Sequence, residues 1–263
     1  MKIWHQSMTV LDHLPAYKAR IAAHARKVLR PDTELVLHGL APDTYPSNYP
    51  GDDISYGALF AMHSLQWMGY AWKAQKEGFD AFAMCTMADP MLREVRAIVD
   101  MPVVGCAEVS FHTAPTLGRR FGMLLFIDRM GVFYEEKIRG YGLAEHFVGA
   151  QPVGFGFNDV LAGFERPGPL IDRFRAAARR LIDAGADVII PAEVPMNLLL
   201  ASEGITRIDE AVVMDSLGLT LKAAEAAVDR GERPKRDGWH HAKPRDERIE
   251  QVLRYYGLSR FMD

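Results

Sequence analysis

One stretch of this chain occurs twice, and the repeat limits what the chain can fold into. The first copy is Gly78-Phe79-Asp80-Ala81-Phe82-Ala83-Met84-Cys85-Thr86, running on into Met87-Ala88-Asp89-Pro90. The second is Gly185-Ala186-Asp187-Val188-Ile189-Ile190-Pro191-Ala192-Glu193, running on into Val194-Pro195-Met196. Laid together from the glycine, both read Gly, any residue, Asp, then an apolar run. A short apolar run bounded by turn formers reads as a buried strand. Each copy reaches a polar residue at the ninth position, Thr86 in one and Glu193 in the other. The expectation is that these two ends face each other across one cleft.

The surrounding pattern alternates strand and helix. Lys2–His5 opens as a strand that stops at Gln6-Ser7, Pro15 starts a helix, and Glu34–Gly39 forms a second strand. Residues 41–57 hold three prolines and Tyr45, Tyr49 and Tyr56, which suits an ordered lid. Residues 58–76 are helical, Asp89-Pro90 opens another helix, and Met101–Gly105 is the next strand. From Arg120 the cycle restarts: Phe121–Ile127 is a strand ending at Asp128-Arg129, 132–140 is helical, 152–168 is a loop, and Asp172–Ala184 is a helix. Ala211–Met214 answers Pro102–Val104. Alternation of this kind gives parallel sheets flanked by helices. The expected fold is α/β, with two pseudosymmetric lobes. The first lobe takes residues 1–114 plus 211–230, the second takes 115–210, and 231–263 form a C-terminal extension.

Composition excludes several classes. The 263 residues carry a net charge of −3, so no basic footprint for nucleic acid is present. Two cysteines cannot make a disulfide framework. No run reaches the roughly 20 apolar residues of a spanning helix, and residues 1–6 are not followed by the apolar region of a signal peptide. A cytoplasmic protein acting on a small molecule, with no nucleic acid or membrane partner and assembling as a homo-oligomer, is the expectation. Gly154-x-Gly156 lacks the third glycine of a dinucleotide fingerprint. No HxxxH or CxxC spacing supports zinc among Cys85, Glu193, His5 and His112. Neither a cofactor nor a metal is expected.

The motifs from Asp80 to Pro90, Pro102-Val103-Val104-Gly105-Cys106-Ala107-Glu108, Leu117 to Gly122 and Gly185 to Ala192 together resemble the aspartate/glutamate/hydantoin racemase superfamily. The resemblance covers nearly all of residues 1–230. It implies an aspartate racemase-like pair of lobes around a small-molecule cleft. It also implies cofactor-free movement of a proton at a carbon next to a carbonyl, by two cysteines, one from each lobe. Aligned without gaps, those cysteines fall on Thr86 and Glu193, and Cys85 lies one residue early. The two-thiol reaction is therefore not carried over.

Candidate site residues follow from the strand ends, where open α/β sheets bind ligands. Glu193, at the end of a buried strand, is the leading acid/base, since an apolar pocket raises a carboxyl toward the range useful for proton transfer. Thr86 is expected to hydrogen-bond a substrate carbonyl, and Cys85 to act if its pKa is lowered. Met87, Ala88 and Val194 offer backbone N–H groups at helix starts. His5, Gln6 and Ser7 end the first strand. Asp128 and Arg129 end the matching strand of the second lobe, with Arg129 suited to clamp a carboxylate. Glu108 and His112 are placed to orient the acid/base pair. The function expected is acid–base chemistry on a small carboxylate, hydantoin or cyclic amide, by racemisation, isomerisation or decarboxylation. The alternatives are a hydrolase whose Glu193 activates water, and a non-catalytic small-molecule binder.

Overall fold

The glycines and aspartates of the repeat explain how its two strands are set in place. In the computed structural model, which describes residues 1–233, 236 and 238–261, Gly78 and Gly185 take left-handed φ angles of 74° and 95°. Each ends the preceding helix. Phe79 N–H reaches Ala74 O at 3.0 Å, and Ala186 N–H reaches Leu181 O at 2.9 Å. This is the double-bonded helix end that favours glycine. Two residues on, Asp80 accepts from Lys2 N–H at 2.7 Å and Asp187 from Arg120 N–H at 3.0 Å. Each aspartate thereby ties the repeat strand to the start of its neighbour.

The first half runs β1 (Lys2–Gln6), α1 (Pro15–Val28), β2 (Glu34–His38), α2 (Gly51–Ile54), α3 (Gly57–Ser64), α4 (Gln66–Lys76), β3 (Ala81–Met84), α5 (Leu92–Ile98), β4 (Val103–Gly105) and α6 (Cys106–Leu117). The second half runs β5 (Phe121–Leu125), α7 (Met130–Gly140), β6 (Phe147–Pro152), α8 (Phe157–Gly163), α9 (Gly168–Asp183), β7 (Val188–Pro191), α10 (Val194–Ser202), β8 (Arg207–Ile208) and β9 (Ala211–Val213). α11 (Ser216–Asp229) and α12 (Asp246–Tyr255) follow.

Two sheets form, ordered β2-β1-β3-β4 and β6-β5-β7-β9-β8. All pairings are parallel except β8 with β9. β1 beside β3 in one sheet corresponds to β5 beside β7 in the other, and every residue of the two repeat strands is buried. Their length and apolar character are what a strand covered on both faces requires. The fold is the expected α/β pair of parallel-sheet lobes flanked by helices.

Several boundaries differ from the sequence reading. β9 pairs with β7, so residues 211–213 belong to the second sheet and not to the first lobe. Only α11 crosses back, packing on α1, α6, β3 and β4. The pairing that places β9 is the same one that places β4 beside β3. Helix 58–76 is broken at Leu65 into α3 and α4, and the loops 41–57 and 152–168 contain α2 and α8. Of the C-terminal extension, residues 234, 235, 237, 262 and 263 lie outside the described residues. α12 buries Ile249 and Leu253 and Phe261 packs against Tyr70, which fastens the extension to α4.

Candidate active site

The C-terminal ends of β1, β3, β5 and β7 converge on one cleft of about 520 Å³, part of it open to solvent. Ser7, Met8 and Thr9 contribute from β1; Cys85, Thr86 and Ala88 from β3; Phe126 and Ile127 from β5; Ala192, Glu193, Val194 and Pro195 from β7. The unlike ends of the repeat thus meet in the same cleft. Tyr17 of α1, Tyr49, Pro50 and Ile54 of the proline-rich segment, Met130 and Tyr134 of α7, and Phe157 of α8 complete the lining. No lysine, arginine or histidine is among these residues.

Glu193 is 8% exposed. It precedes α10, yet its carboxylate does not cap that helix. It reaches instead to the segment after β5, where it accepts from Phe126 N–H at 3.2 Å and from Ile127 N–H at 3.2 Å. Burial drives its pKa up to about 8, against the pull of those N–H groups and with a further push from Asp128. A carboxyl titrating near neutrality can both give and take a proton at physiological pH.

On the facing wall Thr86 is partly exposed to the cleft, and its backbone carbonyl accepts from Asp89 N–H at 3.3 Å. Cys85 also lines the cleft but is only 2% exposed and belongs to the apolar cluster with Ile3, Tyr17 and Val104. Burial, with smaller contributions from Cys106 and Asp89, pushes its thiol well above the ordinary range. The lowered pKa that a nucleophilic role called for is absent.

Other candidates are placed differently from the expectation. His5 is fully buried inside β1, flanked by Leu37 and Ala83, and does not reach the cleft. Burial lowers its pKa to about 4, so the ring is neutral. Gln6 is fully buried too: it accepts from Trp4 Nε1–H at 2.9 Å and donates to Gly39 O at 2.9 Å, which ties the end of β1 to the chain after β2. Ser7 does line the cleft, with its Oγ 2.9 Å from Thr9 Oγ1.

Ala88 lines the cleft, but Met87 is 2% exposed and packed in the core. Residues 87 and 88 form a turn and α5 begins only at Leu92, so their amides are not a helix start. Val194 does open α10 at the cleft. Asp128 and Arg129 are exposed and outside the lining, because β5 stops at Leu125 and the polar pair is carried into the turn before α7. Arg129 lies over the Tyr56 ring, 5.0 Å from its centroid. Glu108 pairs with Arg96 at 2.9 Å, away from Glu193.

The lid expectation finds a physical form. Tyr45 Oη donates to Met8 O at 3.0 Å, and Tyr49 stacks on Phe157 with centroids 5.7 Å apart. A segment of the first half thereby closes on the second. Sequence reasoning missed Thr9, Tyr17, Tyr134 and Phe157. Tyr17 and Tyr134 had one available signal, since each lies within the first two turns of the helix that follows the first strand of its half. No group of three or more His, Cys, Asp or Glu able to hold a metal occurs among the described residues. No helix among them is long and apolar enough to cross a membrane.

Two α/β lobes with unlike polar residues at the ends of a repeated strand define a class of proteins with a small-molecule cleft between lobes. The family model described as Asp/Glu/Hydantoin racemase matches residues 16–213, well over half of the chain. The chain therefore belongs to the Asp/Glu/hydantoin racemase family. It is similar to a hydantoin racemase of Pseudomonas sp. (strain NS671), 28% identical over 170 residues, covering 61% of this chain and 63% of that one. It is also similar to a hydantoin racemase of Rhizobium meliloti, 24% identical over 194 residues, covering 71% of this chain and 75% of that one. An allantoin racemase from Klebsiella pneumoniae shares the fold with a TM-score of 0.77 at 22% identity, covering 93% of this chain and 94% of that one.

Proposed function

We propose that this protein is a cofactor-independent enzyme that exchanges the proton on a ring carbon next to a carbonyl, in a hydantoin or related cyclic amide. Glu193 is the acid/base, and Thr86 hydrogen-bonds the substrate from the facing wall. The observation that carries the reading is the buried Glu193 carboxyl, held at a pKa of about 8 where four strand ends converge. The reading is supported by the hydantoin and allantoin racemases among the similar proteins. Two features of the cleft support a ring over a free amino acid. Its walls are largely aromatic and aliphatic, and among the described residues no cation lines it to pair with a carboxylate.

The reaction is a deprotonation followed by reprotonation. Ionised Glu193 takes the proton from carbon and charge moves to the carbonyl oxygen. The protonated carboxyl trades that proton with water and returns one to carbon as the charge moves back, which leaves Glu193 ionised again. Positioned proton transfer of this kind contributes roughly 10²–10⁴ in rate.

The test is incubation in D₂O with single enantiomers of 5-substituted hydantoins and, in parallel, free amino acids, followed by mass spectrometry and optical rotation. The reading expects a gain of one deuterium at the ring carbon. A gain of one water would transfer the assignment to ring-opening hydrolysis. Neither change with any ring would contradict both reactions and leave a binder.

A further inference from the structure

The reaction proposed above puts negative charge on a carbonyl oxygen, and no cation among the described residues lines the cleft to receive it. Of the hydroxyls in the lining, those of Ser7 and Thr9 bond to each other and Tyr49 stacks on Phe157, whereas Tyr17 and Tyr134 remain without a role. Tyr17, 2% exposed, and Tyr134, 3% exposed, both line the cleft. Neither hydroxyl bonds to another described residue, and neither is among the fully buried polar atoms left unpartnered, so each oxygen keeps access to the cleft. Each is thus free to bond whatever the cleft holds.

Their placement is not arbitrary. Tyr17 lies in the first turn of α1, the helix after β1, and Tyr134 in the second turn of α7, the helix after β5. β1 and β5 are the corresponding strands of the two sheets, so the two tyrosines come from corresponding helices of the two lobes. Each stands beside a different end of the repeat. Tyr17 packs in one apolar cluster with Cys85, and the Glu193 carboxyl pushes the Tyr134 phenol further up. Burial keeps both phenols protonated, so each is available as a neutral donor.

We propose that Tyr17 and Tyr134 are the donors that hold the two carbonyl oxygens of a neutral ring, one from each wall of the cleft. This rests on the proton-transfer reading for its place in catalysis, but not for its test by binding. A ring with two carbonyls flanking one N–H presents two acceptors on opposite sides, which matches two donors from facing walls. A phenol gains strength as a donor when charge grows on the oxygen it holds, the behaviour expected of an oxyanion site.

The experiment is calorimetric binding of 5-benzylhydantoin and its 2-thio and 4-thio analogues to the wild-type protein, Tyr17→Phe and Tyr134→Phe, with melting temperatures recorded for each. Sulfur accepts hydrogen bonds poorly, so each thio analogue should bind the wild type about tenfold more weakly, for a bond worth roughly 1.4 kcal/mol. One analogue should lose that penalty in Tyr17→Phe and the other in Tyr134→Phe. A merely structural role would weaken all three ligands alike. The assignment is overturned if the penalties persist unchanged in both variants, or if the wild type does not bind the oxygen ring. Exchange in D₂O is read separately. A wild type that binds the ring with this pattern but exchanges no proton would refute the reaction and leave the donor assignment standing.

Discussion

Burying the Glu193 carboxyl costs stability that its two N–H donors do not fully restore. Its folded pKa of about 8 lies above the ordinary 4.5. The folded state therefore holds a proton that the unfolded chain gives up between those values. Stability is fullest below about pH 4.5 and falls as pH rises through about 8, by an amount on the order of a few kcal/mol. Glu193→Gln keeps an oxygen for Phe126 and Ile127 N–H and removes the titration. Thermal melts should find this variant equal to or more stable than the wild type, with the gap widening from pH 5 to pH 9. A gap that stays flat across that range would mean the carboxyl is not held in the protonated form.

At residue scale, Glu193 was legible because a carboxylate closing an apolar strand is costly without a use. His5 and Arg129 were misplaced because strand ends were read slightly wrong. Ending β5 at Leu125 instead of Ile127 moves two charged residues from cleft to turn. The choice between Cys85 and Thr86 depends on how the chain turns after Met84. Sequence does not encode that in any local propensity.

The repeat unit acts as a scaffold, with glycine ending one helix and aspartate pinning the adjacent strand. Removing one pin should loosen one lobe. Asp187→Ala deletes the bond to Arg120 N–H, and denaturant melts should show a loss of about 1–3 kcal/mol. An unchanged midpoint would contradict that role. The proposed lid should act on binding instead. Tyr49→Ala removes the stack on Phe157, worth about 0.5–1.5 kcal/mol. It should raise KM several-fold, up to about tenfold, with kcat falling less, as read by steady-state kinetics. A kcat loss larger than the KM rise would place Tyr49 in the chemistry.

Most long elements were visible as apolar runs and helical spacing. α2 and α8 were not, being short helices inside segments rich in proline and glycine, where turn formers mask a few helical residues. The full lining was also beyond reach, since it gathers residues as distant as Thr9, Tyr49, Tyr134 and Phe157. Only the packing of the two halves brings them together.

Across the whole molecule the two sheets share a core. One buried cluster contains Trp4, Phe82 and Phe111 together with Phe121, Met123 and Ile190, so apolar contacts run from one half into the other. α11 adds a covalent return, leaving β9 in the second sheet and packing on β3 and β4 of the first. The buried tryptophans Trp4, Trp67 and Trp72 all report on the first half. Their fluorescence and far-ultraviolet circular dichroism should therefore show coincident denaturant transitions. Separate transitions would show that the halves unfold independently and that the cleft between them is less firmly set.

A shared core keeps the two unlike strand ends in register, and the proposed chemistry depends on that. The measurement that bears most directly on it is deuterium incorporation at the ring carbon of an optically pure 5-substituted hydantoin, comparing wild type with Glu193→Gln at pH 8. The wild type should exchange and the variant should lose at least roughly 10²-fold in rate, while melting no lower than the wild type. Equal exchange by a folded Glu193→Gln would show that Glu193 is not the group that moves the proton.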